Sequence, residues 1–492
     1  MESTSLPFVK IMVIGGGFSG LAMGCQLKTK LNCDDFVIYD RAAKGGGTWW
    51  ANQYPGCGVD IPAVFYSLSF APNPNFTKAF PKQKEILNYF NSVADHFDVA
   101  RHFVCHVDWE EAHWQEASST WLVKLKDLST GKIFQQQCSL LVSAVGGLTV
   151  PNKFQLDGIE RFEGDIIHTA KWKNDLSMKN KNVVVIGNGS SASQLIPNIA
   201  QDAKSITQFI RTPQHYMPSQ DMPIPQIWMT LFQYAPIILQ ILRAIVFLYL
   251  ETSGPQFNLT KDGAKRRQSA HERSVHYVQS TAPGEPHRRV FDNDKYIAIL
   301  NRENVHLTDD PVVSLQRESV LTKSGQIHPA DIIVLATGFA LAQYDSKLIG
   351  RNGLSRAQHR EKYGTFEAFK TVAMAGFPNF FYILGPHSGR GHTSTLLAVE
   401  NFIDLIIQVA KPVIHNQASY VEVKESSERQ YHQQIHAAIG KTVFSDQCSS
   451  WYIDKKTGKN WFSYPWSSFT MWYSTHLGDN TDWVYQSDQG CP

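Results

Sequence analysis

The sequence predicts an α/β protein built from two doubly wound dinucleotide-binding units. A strand–glycine turn–helix–strand pattern occurs twice, far apart in the chain, around residues 10–40 and 182–211. Two further apolar runs, at 331–335 and 380–384, have the composition of buried strands. The chain has 492 residues, too many for one simple core, so two or more domains are expected.

Composition narrows the class of protein. The chain is 43% hydrophobic and 18% charged, with a formal net charge of +2, which is typical of a globular protein and gives no indication of a nucleic-acid partner. The seven cysteines are irregularly spaced and form no CxxC pair. This pattern favours a reducing, cytoplasmic compartment and argues against a disulfide framework or a zinc site, so no metal is expected. Residues 1–10 do not have the pattern of a signal peptide.

The first unit carries a complete dinucleotide fingerprint. A strand at 10–14 leads into a glycine turn and a helix at 21–30, and a second strand at 36–39 ends at an acid. In a GxGxxG turn, the first glycine permits the tight turn, the second lets backbone approach a pyrophosphate, and the third lets helix and strand pack closely. The terminal acid can accept hydrogen bonds from a ribose diol. The candidate cofactor-binding residues here are Gly15, Gly17, Phe18, Ser19, Gly20 and Asp40.

The second unit repeats this order with one informative change. A strand at 182–186 precedes the turn, a helix runs to about residue 200, and a strand at 206–210 follows. Arg211 replaces the acid at the end of that strand, and arginine can bind the 2′-phosphate that distinguishes NADPH from NADH. The alternative for Arg211 is a solvated surface arginine. The candidate residues are Gly187, Asn188, Gly189, Ser190, Ser191, Ala192, Arg211 and Thr212.

Two other segments have a recognisable character. Residues 214–284 read as a helical insertion in the second unit, and within it residues 223–250 are strongly apolar. Pro236, Gln240 and Arg243 interrupt that run, so buried or partly exposed helices are favoured over a membrane span, and membrane contact is a minor alternative. A later helix is predicted from Thr393 to Ala410, with Pro412 as its stop.

Longer motifs resemble one enzyme family. Residues 162–172, FEGDIIHTAKW, match the FxGxxxHxxxW fingerprint of Baeyer–Villiger monooxygenases, which are class B flavin-dependent monooxygenases. Residues 46–49, GGTW, together with 54–56 and Asp60, match a second pattern of that family. The resemblance extends from Gly15 to about Trp466 and includes the loop 385–392 and the stretch 448–452.

The resemblance implies a domain organisation. It implies two Rossmann-like domains of three layers each, one for FAD and one for NADPH. The FAD-binding domain would be discontinuous and formed by residues 1–150 and 330–492. The NADPH-binding domain would comprise residues 151–329, with the helical insertion at 214–284.

The resemblance also implies an activity. NADPH would reduce FAD, O2 would add to give a C4a-peroxyflavin, and a ketone would be oxidised to an ester or lactone by Baeyer–Villiger oxidation. A bulky intermediate of secondary metabolism is the expected substrate. Two alternatives remain open: a flavin-containing N- or S-oxygenating monooxygenase, and a non-catalytic, membrane-associated flavoprotein. The sequence indicates no oligomeric state.

Site residues follow from the same resemblance. Arg288, within residues 285–291, occupies the place of the family's catalytic arginine, with Arg289 as the neighbour that could be confused with it, and Asp60 is expected to orient Arg288. His168 and Trp172 are expected to position the nicotinamide at the linker between the domains. Asp60 is also a candidate for cofactor binding. The remaining cofactor-binding candidates, including Asp60, are Gly47, Thr48, Trp49, Asp60, Tyr66 and Val107.

Some positions depart from the family pattern. Lys173 replaces the proline or aspartate that often closes the fingerprint, and 144–146 read Ala-Val-Gly rather than Ala-Thr-Gly. His287 replaces a lysine that helps to hold the 2′-phosphate, which places more of that task on Arg211. None of these changes removes a group that oxygenation needs.

Overall fold

The computed structural model describes residues 4–212, 215–218, 221–281, 289–292, 295–340, 344, 346–445, 451–478 and 480–486. In chain order, the strands of these residues are β1 (Thr4–Ser5), β2 (Val9–Ile14), β3 (Phe36–Tyr39), β4 (Phe103–Val104), β5 (Val107–Gln115), β6 (Thr120–Asp127), β7 (Ile133–Ser143), β8 (Asp165–His168), β9 (Asn182–Ile186), β10 (Ser205–Phe209), β11 (His215–Pro218), β12 (Arg289–Asp292), β13 (Val305–Thr308), β14 (Val312–Gln316), β15 (Ser319–Thr322), β16 (Ile327–Pro329), β17 (Ile332–Leu335), β18 (Lys347–Ile349), β19 (Phe380–Tyr382), β20 (Tyr420–Val423) and β21 (Trp483–Gln486).

The α-helices of the described residues alternate with these strands in the first two thirds of the chain and dominate the last third. They are α1 (Phe18–Leu31), α2 (Thr48–Ala51), α3 (Gln83–His96), α4 (Ser190–Ile199), α5 (Gln226–Tyr234), α6 (Pro236–Glu251), α7 (Lys261–Thr281), α8 (Tyr296–Ile299), α9 (Arg356–Tyr363), α10 (Thr395–Ile414), α11 (Glu425–Ile439) and α12 (Ser468–His476).

The first sheet joins the two ends of the chain. Its order is β18-β5-β6-β7-β2-β3-β4, and β1 and β19 also pair with β7. The strands β7, β2 and β3 are parallel, whereas β5, β6 and β7 form an antiparallel meander. Successive residues of β2 point to opposite faces. Ile11 and Val13 pack in the core with α1 and α10, and Met12 packs in a second core with the meander.

The second sheet is entirely parallel, in the order β13-β10-β9-β17-β8. Its central strand β9 is buried on both faces, as a parallel strand covered by other layers must be. The strand β17 belongs to this sheet, although the sequence boundary at residue 330 assigned it to the FAD-binding domain. Because β17 pairs with both β9 and β8 in the second sheet, the chain returns to the first sheet only after Leu335.

The predicted helical insertion is present in the second unit. The helices α5, α6 and α7 follow β11, and β12 returns to pair in parallel with β11. The helical segment Pro236–Phe257, which comprises α6 and the short turn after it, is 22 residues long and apolar enough to cross a membrane by length and composition. Only 6% of its apolar 18-residue stretch is buried. Of the two arrangements expected for this run, buried or partly exposed helices, the structure has the second, since Leu239 is buried whereas Ile237 and Ile241 are exposed.

Pro412 does not stop the helix that contains it. The helix α10 runs to Ile414, two residues beyond the proline, and begins at Thr395 behind the cap residue Ser394. Proline removes one intrahelical hydrogen bond, but Val413 and Ile414 are buried in the main core, so their packing holds the last turn in place.

Candidate active site

A single cleft brings both glycine turns together. The cleft has a volume of about 1130 Å³, and its walls include Gly15 and Gly17 of the first unit and Gly189, Ser190 and Ser191 of the second. Both turns lie at the carboxyl ends of parallel strands, β2 and β9. This is where open α/β sheets bind ligands, since helix N-termini there present unpaired N–H groups.

The first glycine turn has the geometry that a pyrophosphate needs. Gly15 has a φ of +113°, and a Cβ at Gly20 would lie 2.0 Å from the carbonyl oxygen of Gly15. Side chains are therefore excluded at both positions. Gly17 caps the N-terminus of the 14-residue helix α1, and a Cβ there would only contact the Cα of Gly47 at 3.4 Å. Gly17 is open to the cleft, so a cofactor rather than the protein requires its lack of a side chain.

Asp40 is held in place by the backbone of this turn. Its Oδ2 accepts a hydrogen bond from the amide of Gly16 at 2.6 Å, and its Oδ1 accepts one from Ala42 at 2.7 Å. Burial raises the pKa of Asp40, and these two hydrogen bonds oppose that effect. Each oxygen retains capacity to accept a hydrogen bond from a ribose hydroxyl at the cleft wall.

The GGTW motif at residues 46–49 lines the same cleft. Gly47 precedes the short helix α2, and Thr48, Trp49 and Tyr66 line the cleft with it. The indole Nε1 of Trp49 donates a hydrogen bond to the hydroxyl oxygen of Tyr66 at 3.0 Å. Burial raises the pKa of Tyr66, so its hydroxyl stays protonated. Val107, at the start of β5, also lines the cleft, as do Phe18 and Ser19.

Polar atoms without protein partners mark the cleft as a site for a polar ligand. Among the described residues, Asn52 Oδ1, Trp109 Nε1 and Thr393 Oγ1 are buried and have no hydrogen-bond partner, and all three residues line the cleft. Unsatisfied buried polar groups cost stability unless a ligand or water meets them. The N-terminus of α10 faces the same cleft through Thr395 and Leu396. Its positive end is suited to the negative charge of a reduced flavin. These residues and both glycine turns fit FAD and a nicotinamide dinucleotide.

The second glycine turn repeats the geometry of the first. Gly187 has a φ of +120°, and a Cβ there would lie 2.4 Å from the carbonyl oxygen of Ala336. Gly189 caps the N-terminus of α4 and has open space where a Cβ would be. Ala192 is completely buried in the core, which is the packing role expected of the third position. Asn188 steadies the turn by donating a hydrogen bond to the carbonyl oxygen of Thr212 at 2.7 Å.

Arg211 lies two residues beyond the end of β10 and is exposed. It forms no ion pair or hydrogen bond with the part of the chain that the structure describes. Arg211 and Thr212 do not line the cleft itself but flank the second turn, since Thr212 is bound by Asn188. A free guanidinium at this position is available to a 2′-phosphate.

Sequence reasoning missed the residue that joins the two units. Gln194 of α4 accepts a hydrogen bond from the hydroxyl of Tyr54 at 2.8 Å and donates one to the carbonyl oxygen of Gly58 at 3.0 Å. Gly56 lies so close that a Cβ would be 2.2 Å from the Gln194 carbonyl oxygen. The YPG sequence at 54–56 therefore packs directly against the second nucleotide-binding helix, which no local pattern could indicate.

His168 and Trp172 lie outside the cleft wall of the described residues. His168 Nε2 donates a hydrogen bond to the carbonyl oxygen of Gly338 at 3.0 Å, and its Nδ1 accepts one from the amide of Ala170 at 3.1 Å. Burial lowers the pKa of His168, so its ring is neutral. His168 thus joins the end of β8 to the loop after β17, while Trp172 packs against the main core.

Asp60 lines the cleft and is open to it. Protein atoms surround the cleft on which the Asp60 carboxylate lies, and the resulting desolvation raises the pKa of Asp60. It forms no ion pair with any described residue. Arg288, its expected partner, lies outside the described residues, and the side chain of Arg289 does as well. The pairing of Asp60 with Arg288 therefore stays a prediction.

A second cation in the cleft was not singled out from the sequence. Arg390 donates hydrogen bonds to Ser468 Oγ at 2.6 Å and to Glu251 Oε1 at 3.3 Å, and burial lowers its pKa. His392 Nε2 lies 3.3 Å from the same Glu251 oxygen. Burial alone would raise the pKa of Glu251, but hydrogen bonds from His392 and Ser468 lower it to about 2. Glu251 is the only acidic residue of α6, and an acid at the end of an apolar helix could have indicated from the sequence that it has a buried cationic partner.

Comparison with known proteins identifies the family. The model of the flavin-binding monooxygenase-like family matches residues 9–347, well over half of the chain. The chain belongs to this flavin-binding monooxygenase-like family. Family membership confirms the prediction of a flavin monooxygenase that uses FAD and NADPH.

Relatives and solved structures agree with the family assignment. A Baeyer–Villiger monooxygenase from Pseudomonas aeruginosa is 28% identical over 93% of this chain and 88% of its own length. The FAD-binding monooxygenase ktnD from Aspergillus niger is 29% identical over 95% of this chain and 80% of its own. Cyclohexanone monooxygenase from Rhodococcus sp. Phi1, solved with NADP+, aligns over 99% of this chain and all of that chain, with a TM-score of 0.81 at 24% identity. The resemblance to Baeyer–Villiger monooxygenases and the predicted fold class are confirmed.

Proposed function

We propose that this flavin monooxygenase oxidises a ketone to an ester or lactone by Baeyer–Villiger oxidation. The observation that carries the proposal is the single cleft, in which both glycine turns, the N-terminus of α10 and the carboxylate of Asp60 meet. The relatives named Baeyer–Villiger monooxygenase support the same reaction.

The residues have distinct tasks in this proposal. Bound FAD and NADPH would supply the redox chemistry that activates O2. The turn at Gly15 and Gly17 and the N-terminus of α1 hold one pyrophosphate, and the turn at Gly189 holds the other. Asp60 orients the guanidinium of Arg288, which stabilises the negative charge that develops on oxygen when a ketone is attacked. His168 and Trp172 act from behind the cleft wall as positioning residues.

The substrate in this proposal is a bulky, apolar ketone of secondary metabolism. Apolar side chains on the cleft wall support it: Ile61, Leu148, Val150, Phe339 and Leu384. Such a lining favours a hydrophobic molecule and excludes water from the reaction. The support for a role in secondary metabolism is the similarity to relatives such as the FAD-binding monooxygenase ktnD.

Product analysis tests the reaction type. The purified yellow protein should consume NADPH faster when a lipophilic cyclic or aryl ketone is present, and mass spectrometry should find the ester or lactone with one oxygen atom from ¹⁸O2. Amine and thioether substrates serve as the matched comparison. If only N-oxide or sulfoxide forms, the heteroatom-oxygenating alternative is correct; if the protein binds flavin but forms no oxygenated product, the non-catalytic alternative is.

The insertion favours a second property, attachment to a bilayer surface. One stripe of α6, made by Ile237, Ile241, Ile245 and Leu248, is 54–60% exposed. Neighbouring aromatic side chains are also exposed: Trp228, Tyr234 and Tyr249. Exposed apolar patches of this kind mark interaction sites, and tryptophan and tyrosine are enriched at membrane–water interfaces.

Charge and anchoring indicate surface attachment rather than a membrane span. Arg243, on the inner side of α6, donates hydrogen bonds to Ser67 Oγ at 3.1 Å and lies 3.8 Å from Glu400. Glu251, at the end of α6, accepts hydrogen bonds from Arg390 and Ser468, so polar contacts attach α6 to the rest of the protein at both positions. The next helix in the chain, α7, has more basic than acidic residues, namely Lys261, Lys265, Arg266, Arg267 and Arg273 against Asp262 and Glu272. Basic residues near an apolar surface attract anionic headgroups. We propose a cytoplasmic enzyme that takes its apolar substrate from such a surface.

Vesicle flotation tests this attachment. The protein should float with vesicles that contain anionic phospholipid, and Ile241→Asp combined with Ile245→Asp should leave it in the bottom fraction, because charged side chains cannot enter the acyl region. Ile327→Asp is the control, since Ile327 is 59% exposed on the distant strand β16. Flotation of the double variant to the same extent as the wild type would rule out this face.

A further inference from the structure

Three histidines converge on one buried carboxylate, outside the cleft described above. His387 Nε2 lies 3.1 Å, His432 Nδ1 3.0 Å and His436 Nε2 2.5 Å from the same oxygen, Oε1 of Glu367. The side chain of Glu367 is 1% exposed and that of His387 is fully buried. The ligand atoms of Glu367, His432 and His436 all lie within 4.8 Å of one another.

Hydrogen bonding alone does not satisfy this cluster. A carboxylate oxygen has two lone pairs and cannot accept three well-aligned bonds, yet all three imidazoles approach Oε1. The other oxygen, Oε2, is buried and has no hydrogen-bond partner among the described residues, and the same is true of Nδ1 of His387. Buried polar atoms left in this state each cost free energy. A cation bound by the carboxylate and the nitrogens of His432 and His436 would replace the crowded contacts at Oε1 and could also bind Oε2.

The backbone places these side chains with precision. His432 and His436 are four residues apart on α11, so they lie one turn above the other on a single face. His387 adopts a φ of +59°, a left-handed conformation that is uncommon for a residue with a side chain. Such a conformation persists where the surroundings require it, and here it aims the ring at Glu367.

We propose that Glu367, His432 and His436 bind a Zn²⁺ ion, with His387 orienting the carboxylate. Imidazole nitrogen and carboxylate oxygen are zinc ligands, and metal–ligand bonds of about 2.0–2.2 Å place neighbouring ligand atoms roughly 3.3 Å apart. The three ligand atoms lie within 4.8 Å of one another, and the 2.5 Å contact between His436 and Glu367 must lengthen to admit the ion. Cysteine spacing predicts no metal, and the histidines of this cluster approach Glu367 only in the folded chain. The ion joins α11 to the segment before β19 that carries Glu367, and the same carboxylate contacts His387, in the loop that also carries Arg390 and His392.

Metal analysis of the purified FAD-bound protein tests the site. After exposure to Zn²⁺ and removal of weakly bound ions, the wild type should retain roughly one zinc per chain, as three-ligand protein sites do. His432→Gln and His436→Gln should lose it. His306→Gln is the matched control, because His306 is exposed on β13 and should keep the zinc. A chelator should lower the Tm of the wild type and leave that of the two ligand variants unchanged.

Other outcomes overturn the proposal. Equal zinc retention by the wild type and the ligand variants means that surface histidines bind the ion adventitiously. Absence of stoichiometric zinc from the wild type, with a Tm that the chelator does not change, means that the cluster is a hydrogen-bonded network. If a histidine variant fails to fold, Glu367→Gln provides the same comparison, with bound flavin absorbance as the check on folding.

Discussion

Replacing Gly17 by alanine should yield a folded protein that no longer retains FAD. The backbone at Gly17 is extended, with a φ of −84°, and a Cβ there meets nothing closer than the Cα of Gly47 at 3.4 Å, so alanine fits the protein. The same Cβ projects into the cleft where the pyrophosphate must approach the N-terminus of α1. Each charged hydrogen bond lost costs about 1.5–3 kcal/mol, or roughly 10- to 100-fold in affinity. Flavin absorbance after gel filtration measures the loss.

Gly189→Ala is the matched variant in the second unit. Gly189 caps α4 with a φ of −75° and has open space around its missing Cβ. This variant should stay yellow but require a much higher NADPH concentration for half-maximal reduction of FAD. The reciprocal losses distinguish two separate sites from one general loss of folding. If Gly17→Ala keeps its flavin and Gly189→Ala releases it, the assignment of the two cofactors is reversed.

Arg288→Ala should abolish ester formation while leaving cofactor binding intact. A preorganised cation that stabilises developing negative charge contributes roughly 10²- to 10³-fold to the rate. Asp60, open to the cleft and without an ion-pair partner among the described residues, is the group to which such a cation would bind. Product formation per NADPH consumed, measured with the best ketone of the panel, is the readout. NADPH consumption should continue and release hydrogen peroxide instead of ester.

Arg289→Ala controls for the position of the catalytic cation. Arg289 begins β12, and the assignment of the catalytic cation to Arg288 predicts that Arg289→Ala keeps most of the ester formation. Asp60→Asn should reduce ester formation less than Arg288→Ala does, because it removes orientation and leaves the cation. Full ester formation by Arg288→Ala, or a selective loss in Arg289→Ala, would contradict the assignment.

Local patterns in the sequence were sufficient for the nucleotide-binding elements. The strands β2 and β9, the turns at Gly15 and Gly187, and the helices that follow lie close to the predicted positions. These features depend on interactions between residues near one another in the chain: apolar alternation, glycine where φ is positive, and a helix N-terminus. The same reasoning placed Arg211 at the end of the second unit and predicted the helical insertion.

Interactions between distant residues could not be predicted in this way. The place of β17 depends on which sheet has a gap for it, and Gln194 becomes important only because the loop at 54–58 packs on α4. Arg390 meets Glu251 across 139 positions of the chain. No periodicity encodes such partners, since they depend on packing of complete elements.

By itself, the sequence determined that this protein has two dinucleotide sites and belongs among flavin monooxygenases, because glycine turns and short motifs are local and chemically specific. Only the tertiary structure decided that both sites open into one cleft, that α6 turns its apolar stripe to solvent, and that three histidines surround Glu367. The cleft and the histidine cluster each bring together residues from separate segments, and the exposure of the α6 stripe depends on which side of that helix the rest of the chain covers. All three therefore depend on how the complete core packs.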